Sequence, residues 1–209
     1  DNLTYSGILV DPASRPITLG SGWNWVGYLP NVSLDINIAL ATVENATYIK
    51  GQNGYANYYS DYGWFGGLST MNPYEGYLMS LSDEDILTYP SGNVLGNYHI
   101  NVEQNIYDHG ISFDYKQYEF NGSITSEINI ANNEVSEHDL LVAYIDEEIR
   151  GYTSPVLFPL TGEYIFELMV YGASEEYSKL EFEYFNAISG KYYALGSNLN
   201  FMPDMIVGD

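Results

Sequence analysis

The stretch LEFEYFNAISGKYYAL, residues 180–195, decides the class of fold. Its first half alternates large apolar side chains with carboxylates: Leu180, Glu181, Phe182, Glu183 and Tyr184. Alternation with a period of two is typical of a β-strand that turns one face to a core and the other to water. Residues 187–190 then predict a turn, and residues 191–195 predict the returning strand. The stretch therefore predicts an antiparallel hairpin at the surface of a β-sheet core.

The same organisation extends through the second half of the chain. Residues 123–130 alternate, with Ile124 as the first of three isoleucines on one face, and residues 140–145 and 164–171 are short apolar runs that suit buried strands. Strands about every ten residues, without helical patterns between them, are typical of an antiparallel sandwich. Residues 93–209 are therefore predicted to form an antiparallel β-sandwich module.

The first half has a different pattern. The motif GWNWVGY, residues 22–28, predicts a strand with Trp23, Trp25 and Gly27 on one face. Residues 33–44 predict the one short helix, with Ser33 as its cap and apolar residues at helical spacing: Ile36, Ala39, Leu40 and Val43.

Short strands separated by glycine and asparagine follow this helix. The composition changes at a linker near residues 90–97, because all three tryptophans precede it. Residues 1–92 are thus predicted to be an aromatic-rich β module with one helix, and the whole chain to be mainly β.

Composition limits the partners of this chain. Its 209 residues include 6 Lys+Arg and 28 Asp+Glu, a formal net charge of −22. Phosphate recognition needs clustered basic side chains, so neither nucleic acid nor an anionic membrane surface is an expected partner. No apolar stretch of membrane-spanning length is present, so we expect no membrane insertion. The absence of cysteine excludes disulfides, thiol catalysis and cysteine-ligated zinc.

Motifs of catalysis are missing from the sequence. It contains no Gly-x-Ser-x-Gly, His-Glu-x-x-His, phosphate-binding loop or EF-hand pattern. Carboxylates are abundant enough to supply the acid pair of a glycan-acting hydrolase, which stays the less favoured alternative. The chain is therefore predicted not to be an enzyme.

Calcium is the one cofactor that the acidic composition leaves open, in a structural role. Asp146 and Glu147 are the candidate ligands, because they follow a predicted buried strand and end in a tight turn before Gly151.

Aromatic side chains are concentrated in the first half of the chain. Rings beside planar amides suit a sugar, since the rings stack on C–H faces and the amides bond to hydroxyl groups. The candidate glycan platform comprises four rings and two amides: Tyr59, Tyr62, Trp64, Phe65, Asn24 and Asn57. Tyr62 and Trp64 follow a polar, loop-like pair and are expected to be exposed. In the alternative interpretation, Trp23, Trp25 and most of the tyrosines form the core of a small module.

The order of these motifs resembles a known module. The matching stretches of the first half are GWNWVGY at 22–28, YIKGQ at 48–52, YGWFGGL at 62–68, MNPYEGY at 71–77 and LTYP at 87–90. They are similar to a module of large secreted surface proteins of Bacteroidetes and related bacteria. That module usually has Pro-Gly-x-Gly-Tyr where this chain has Pro73-Tyr74-Glu75-Gly76-Tyr77.

The second half resembles the domain that commonly follows this module, through residues 139–145, Arg150-Gly151, 164–166, 182–193 and 205–208. The resemblance implies a secreted or cell-surface location and a segment of a longer protein. The missing catalytic motifs, the absence of cysteine and the tandem β pattern predict a non-catalytic structural or adhesive role, with an extracellular glycan or a neighbouring surface protein as partner. A carbohydrate-binding module that uses the aromatic platform is the alternative function.

Overall fold

A computed structural model describes residues 10–91, 109–131, 134–173 and 178–208. The chain divides into two compact units, Asp1–Val102 and Glu103–Asp209. The boundary predicted between residues 92 and 93 lies outside the described residues, as does most of the predicted linker. Strands dominate both units, and the described residues contain one short α-helix, so the predicted fold class is confirmed.

The described residues of the first unit form nine strands and one short α-helix. The strands are β1 Ile17–Leu19, β2 Gly22–Gly27, β3 Leu34–Asp35, β4 Ala46–Lys50, β5 Tyr55–Tyr59, β6 Gly63–Phe65, β7 Thr70–Met71, β8 Gly76–Leu81 and β9 Asp85–Leu87. The helix α1 is Ile36–Ala39, and a 3-10 turn, Pro12–Ser14, precedes β1.

Five of these strands form one antiparallel sheet in the order β2-β8-β4-β5-β6. β1 pairs with β9 and β3 pairs with β7 in two small ribbons beside it. Among the described residues, β2 therefore forms one edge of the main sheet and β6 the other.

One face of the main sheet packs on the helix and the ribbons. The sheet and the helical segment both contribute side chains to the core of the first unit. These are Val26, Ile49, Ala56, Trp64, Tyr77 and Met79 from the sheet and Ile36, Ala39, Leu40 and Val43 from the helical segment. We call this the inner face of the sheet, and the opposite one the outer face. Cross-strand partners in a register lie on the same face, which assigns every other residue of each strand.

The helix is shorter than the sequence predicts. It ends at Ala39 rather than near residue 44, although the four apolar residues predicted for its buried face are all buried. Its cap is Asp35, whose carboxylate accepts from the Asn37 N–H at 2.8 Å. Ser33 is not the cap, because its hydroxyl donates instead to Asn72 Oδ1 at 2.8 Å.

In the part of the second unit that the structure describes, there are eight strands and a 3-10 turn, Tyr115–Gln117. The strands are β10 Phe120–Ser126, β11 Leu140–Ile145, β12 Glu148–Thr153, β13 Val156–Leu157, β14 Tyr164–Gly172, β15 Glu181–Asn186, β16 Lys191–Leu195 and β17 Ile206–Val207.

These strands form two four-stranded sheets, ordered β13-β14-β10-β17 and β12-β11-β15-β16. All pairs are antiparallel except β10 with β17. Side chains of both sheets meet in one core, and these include Ile124, Phe166, Leu168 and Val170 from the first sheet and Leu141, Ala143, Ile145 and Tyr184 from the second. The second unit is therefore a β-sandwich.

The hairpin predicted over residues 180–195 is confirmed. β15 and β16 pair from Phe182↔Leu195 to Asn186↔Lys191, and Leu180 and Tyr184 are buried in the core. The Gly190 N–H donates to the Asn186 carbonyl at 2.8 Å and closes the turn.

Candidate functional site

Two tryptophans lie exposed side by side on the edge strand β2. Trp23 and Trp25 are 50% and 81% exposed. Val26, which follows Trp25 and points to the opposite face, is buried. The register pairs Trp23 with Ser80 and Trp25 with Leu78, which places both indoles on the outer face. Tryptophan is a large apolar side chain, so two exposed indoles on neighbouring positions mark a candidate contact surface.

The backbone of β2 is also open on one side. The Tyr28 N–H donates to the Glu75 carbonyl at 3.1 Å, in the same register as the ladder between β2 and β8. Antiparallel ladders alternate, so the even-numbered residues of β2 bond to β8 and the odd-numbered ones point their N–H and C=O groups outward. Within the described parts of the chain, no strand pairs with the outward groups of Trp23 and Trp25.

A gap without side chains adjoins Trp25 on the outer face. The next pair of the register is Gly27↔Gly76. Among the described residues, a Cβ placed on Gly27 would meet nothing within 4 Å, and one placed on Gly76 would meet only the Val26 carbonyl at 3.8 Å. The Trp25 indole therefore borders a flat strip of backbone on which a planar or ring-shaped group could lie. We call Trp23, Trp25, Gly27 and Gly76 the β2 platform.

Hydrogen bonds hold the turn at the far end of the β2 platform. The Tyr77 hydroxyl accepts from the Asn72 N–H at 2.8 Å and donates to Glu75 Oε2 at 2.7 Å. Burial, and then the bond to the Glu75 carboxylate, raise the pKa of Tyr77 well above its usual value, so this hydroxyl stays neutral. Glu75 thus lies in a fixed loop, and its carbonyl anchors the end of β2 at Tyr28.

The predicted glycan platform is not assembled as expected, and Trp64 is the main correction. Its side chain is only 5% exposed and lies in the core of the first unit, on the inner face. Gly63 has a φ of 97°, which a glycine adopts readily, and the Trp64 N–H donates to Asn37 Oδ1 at 2.9 Å. This bond between β6 and the helical segment fixes the strand with its indole turned inward.

The other predicted rings lie at the β6 end of the sheet. Tyr62 is 52% exposed, as predicted, and its ring meets Phe65 edge-on at 5.9 Å between centroids. Tyr59 and Phe65 are half-buried, as is Asn57, which the register places opposite Phe65 on the outer face. Two strands, β8 and β4, separate this group from β2 in the sheet. The buried Tyr48 of β4 lies between them on the outer face, because it is the cross-strand partner of Asn57 and its ring meets that of Trp23 edge-on at 5.9 Å between centroids.

Asn24 has a structural role that the sequence does not suggest. Its amide group accepts from the Gly20 N–H at 2.9 Å and donates to the carbonyls of Gly20 and Gly22 at 2.7 and 3.1 Å. The amide therefore closes the turn before β2. Asn24 is a correction to the predicted sugar contacts, because its hydrogen-bonding atoms are already engaged.

The second unit contains a buried carboxylate, Asp139, with many donors around it. Its oxygens accept from the Ser136 N–H at 3.0 Å, the Ser136 hydroxyl at 2.8 Å and the Ala187 N–H at 2.8 Å. The Tyr184 hydroxyl and the Asn186 amide donate to the same group. This network ties the segment before β11 to the end of β15, and it leaves Asp139 as a structural anchor rather than an exposed acid.

The predicted calcium ligands form a tight hairpin. Asp146 and Glu147 connect β11 to β12 as a two-residue turn, with φ of 49° and 66°. Both are exposed. Within the described residues, no group of three or more histidine, aspartate or glutamate side chains is placed to hold a metal ion. The turn itself explains the sequence pattern there, because Asp tolerates a left-handed backbone.

Comparison with known proteins identifies no relative, since no protein family, curated protein or solved structure matches this chain. Within the described residues, no helix has the length and apolarity needed to cross a membrane.

Proposed function

We propose that this chain is a non-catalytic extracellular module pair with a structural and adhesive role in a bacterial surface protein. The observation that carries the proposal is the exposure of Trp23 and Trp25 on one face of an edge strand. Exposed apolar surface of this kind is costly in water and is typical of interaction sites, where tryptophan contributes a large share of binding energy. The resemblance of the motifs to modules of secreted Bacteroidetes proteins supports the extracellular setting.

The arrangement of the carboxylates supports a non-catalytic role. A catalytic acid or base must reach a substrate, and it needs a partner group placed beside it. Asp139 is fully buried, and its carboxylate accepts five hydrogen bonds from neighbouring groups. Asp146 and Glu147 lie in an exposed hairpin turn.

Carbohydrate binding is the second candidate function, and one observation favours it. The 81% exposed Trp25 indole borders the strip formed by Gly27 and Gly76, and a Cβ on Gly27 would meet no atom of the described residues within 4 Å, which leaves space for a pyranose ring to lie flat. This candidate moves the aromatic platform from Trp64 to Trp25.

Both functions are tested with a surface-binding panel. The purified chain is passed over immobilised cellulose, xylan, chitin, alginate and β-glucan, and over immobilised collagen and fibronectin. We expect retention on at least one surface, loss of retention in Trp23→Ala and Trp25→Ala, and full retention in Tyr62→Ala as the matched exposed control. Release of soluble product from any polysaccharide, or retention that survives both tryptophan substitutions, contradicts the proposal.

A further inference from the structure

We propose that the open edge of β2 is a strand-addition site for an extended, positively charged segment of another polypeptide. This inference rests on the proposed adhesive function and names the class of its partner. An added strand would hydrogen-bond to the outward N–H and C=O groups of Trp23 and Trp25 and extend the five-stranded sheet beyond β2.

The backbone argument comes first. Trp23 and Trp25 each present one donor and one acceptor outward, spaced as an antiparallel or parallel partner needs. A flat polar array of alternating N–H and C=O groups is matched best by another strand, because each bond pairs one donor with one acceptor along the edge. The Gly27 carbonyl continues this row and already accepts from the Tyr89 hydroxyl at 3.3 Å, which marks where the open part of the edge ends.

The edge also lacks the usual protection against strand addition. Edge strands are commonly blocked by lysine, proline, a bulge or an inward charge. β2 has six residues, contains neither proline nor a charged side chain, and pairs with β8 without a register shift. Residues 16–34 contain no Asp, Glu, Lys or Arg at all, in a chain whose net charge is −22.

The charge balance decides between possible partners. Two copies of the chain each carry a net charge of −22, and this long-range repulsion opposes self-pairing at low salt. A segment with lysine or arginine at its ends is attracted by that same charge while its uncharged centre lies against β2. The exposed indoles would then cover the side chains of the added strand on the outer face.

The test uses a synthetic peptide of about ten residues, with threonine and valine alternating in the centre and lysine at both ends. The first control is the same peptide N-methylated at alternate residues, which removes the donors of one edge. The second control carries glutamate in place of lysine. Binding to the whole chain is followed through the indole N–H signals of Trp23 and Trp25 in NMR spectra.

Substitutions of the protein separate backbone pairing from ring stacking. Trp25→Pro removes the outward N–H without touching the β8 ladder, and Trp25→Val keeps that N–H but removes the indole. We expect the lysine peptide to bind Trp25→Val at least about tenfold more tightly than Trp25→Pro, since proline removes a donor and also fills the space of the added strand. An unchanged Trp64 indole signal in each variant shows that the core is intact.

Several outcomes overturn the inference. These are no binding of the lysine peptide at about 1 mM, equal binding of its N-methylated form, or equal losses in Trp25→Val and Trp25→Pro. Glycan binding lost equally in both variants, without peptide binding, leaves the adhesive function standing and refutes strand addition. Concentration-dependent dimers that Trp25→Pro abolishes would make a second copy of the chain the partner instead.

Discussion

Trp64 and Trp25 make a matched pair for a stability test, because the same substitution to alanine removes a buried side chain at Trp64 and an exposed one at Trp25. A tryptophan side chain presents about 250 Å², and Trp64 and Trp25 are 5% and 81% exposed. Trp64 therefore buries about 240 Å² and Trp25 about 50 Å², which correspond to about 6 and 1 kcal/mol at about 25 cal/mol per Å². Area sums are upper bounds, so we expect about 4 kcal/mol for Trp64→Ala and 1 kcal/mol or less for Trp25→Ala.

The assay is urea unfolding of both variants and of Trp23→Ala. All three tryptophans lie in the first unit, so the fluorescence of the remaining two reports on that unit alone. With a slope of about 1.5 kcal/mol per M, Trp64→Ala should lower the midpoint by more than about 2 M, and the two exposed variants by well under 1 M. Equal losses of stability in Trp64→Ala and Trp25→Ala would refute the assignment of inner and outer faces.

Three further predictions concern single residues. Asp139→Asn should lower the unfolding free energy of the second unit by about 3 kcal/mol, because an amide cannot accept from all five donors around Asp139. Tyr184→Phe removes one of these donors and should lower it by about 1 kcal/mol. Both changes are measured in thermal or urea unfolding, and stabilities equal to that of the wild-type protein would show that the network is dispensable. Glu147→Gly should raise the unfolding free energy by about 1 kcal/mol, because it removes a non-glycine residue from a left-handed backbone conformation. Gly190→Ala should lower the unfolding free energy by a similar amount, because it places a Cβ on a residue with φ of 65°, although the space around it is open. Changes of the opposite sign would contradict the turn assignment. Burial alone would raise the pKa of Asp85, but three backbone N–H groups together hold that pKa below its usual value. The contribution of the ionised Asp85 carboxylate to stability is therefore present above about pH 4 and is lost as the pH falls through the lowered pKa. Asp85→Asn should therefore destabilise the first unit at pH 7 and flatten its acid unfolding curve, and an unchanged curve would count against it.

The second unit follows closely from its sequence because its strands are one-sided. In residues 180–184 the apolar and acidic positions cannot exchange faces without burying glutamates, so the strand and its register are fixed locally. The run Leu140–Ile145 is apolar throughout, and it forms β11 over those same residues.

The first unit shows where such reasoning fails. In Gly22–Gly27 either face of the strand could be buried according to the sequence. The odd-numbered residues include two tryptophans, and the even-numbered ones include Val26 and continue to Tyr28, so both sets contain large apolar side chains. The choice depends on distant residues, because Val26 pairs with Tyr77 in β8 and packs on the inner face. Trp64 likewise turns inward through a bond to Asn37, which lies 27 positions earlier in the chain. No local pattern carries that information, although Gly27 at the end of the GWNWVG motif marks one side of the strip beside Trp25.

The helix is shorter than its apolar spacing predicts for a related reason. Its apolar spacing extends to Val43, but the chain leaves the helix at Leu40, and Val43 reaches the core through a turn in which its N–H donates to the Leu40 carbonyl at 2.9 Å. Spacing alone cannot distinguish a further helical turn from a loop that buries the same side chain.

The most direct test of the exposed β2 platform is an NMR titration that follows the three indole N–H signals of the chain. The lysine peptide, and any polysaccharide retained in the binding panel, are added in turn to the wild-type protein. Perturbation of the Trp23 and Trp25 signals, with the Trp64 signal unchanged, is the predicted result. A ligand that shifts the Trp64 signal, while Trp23 and Trp25 stay unperturbed, would contradict the assignment of the contact surface to β2.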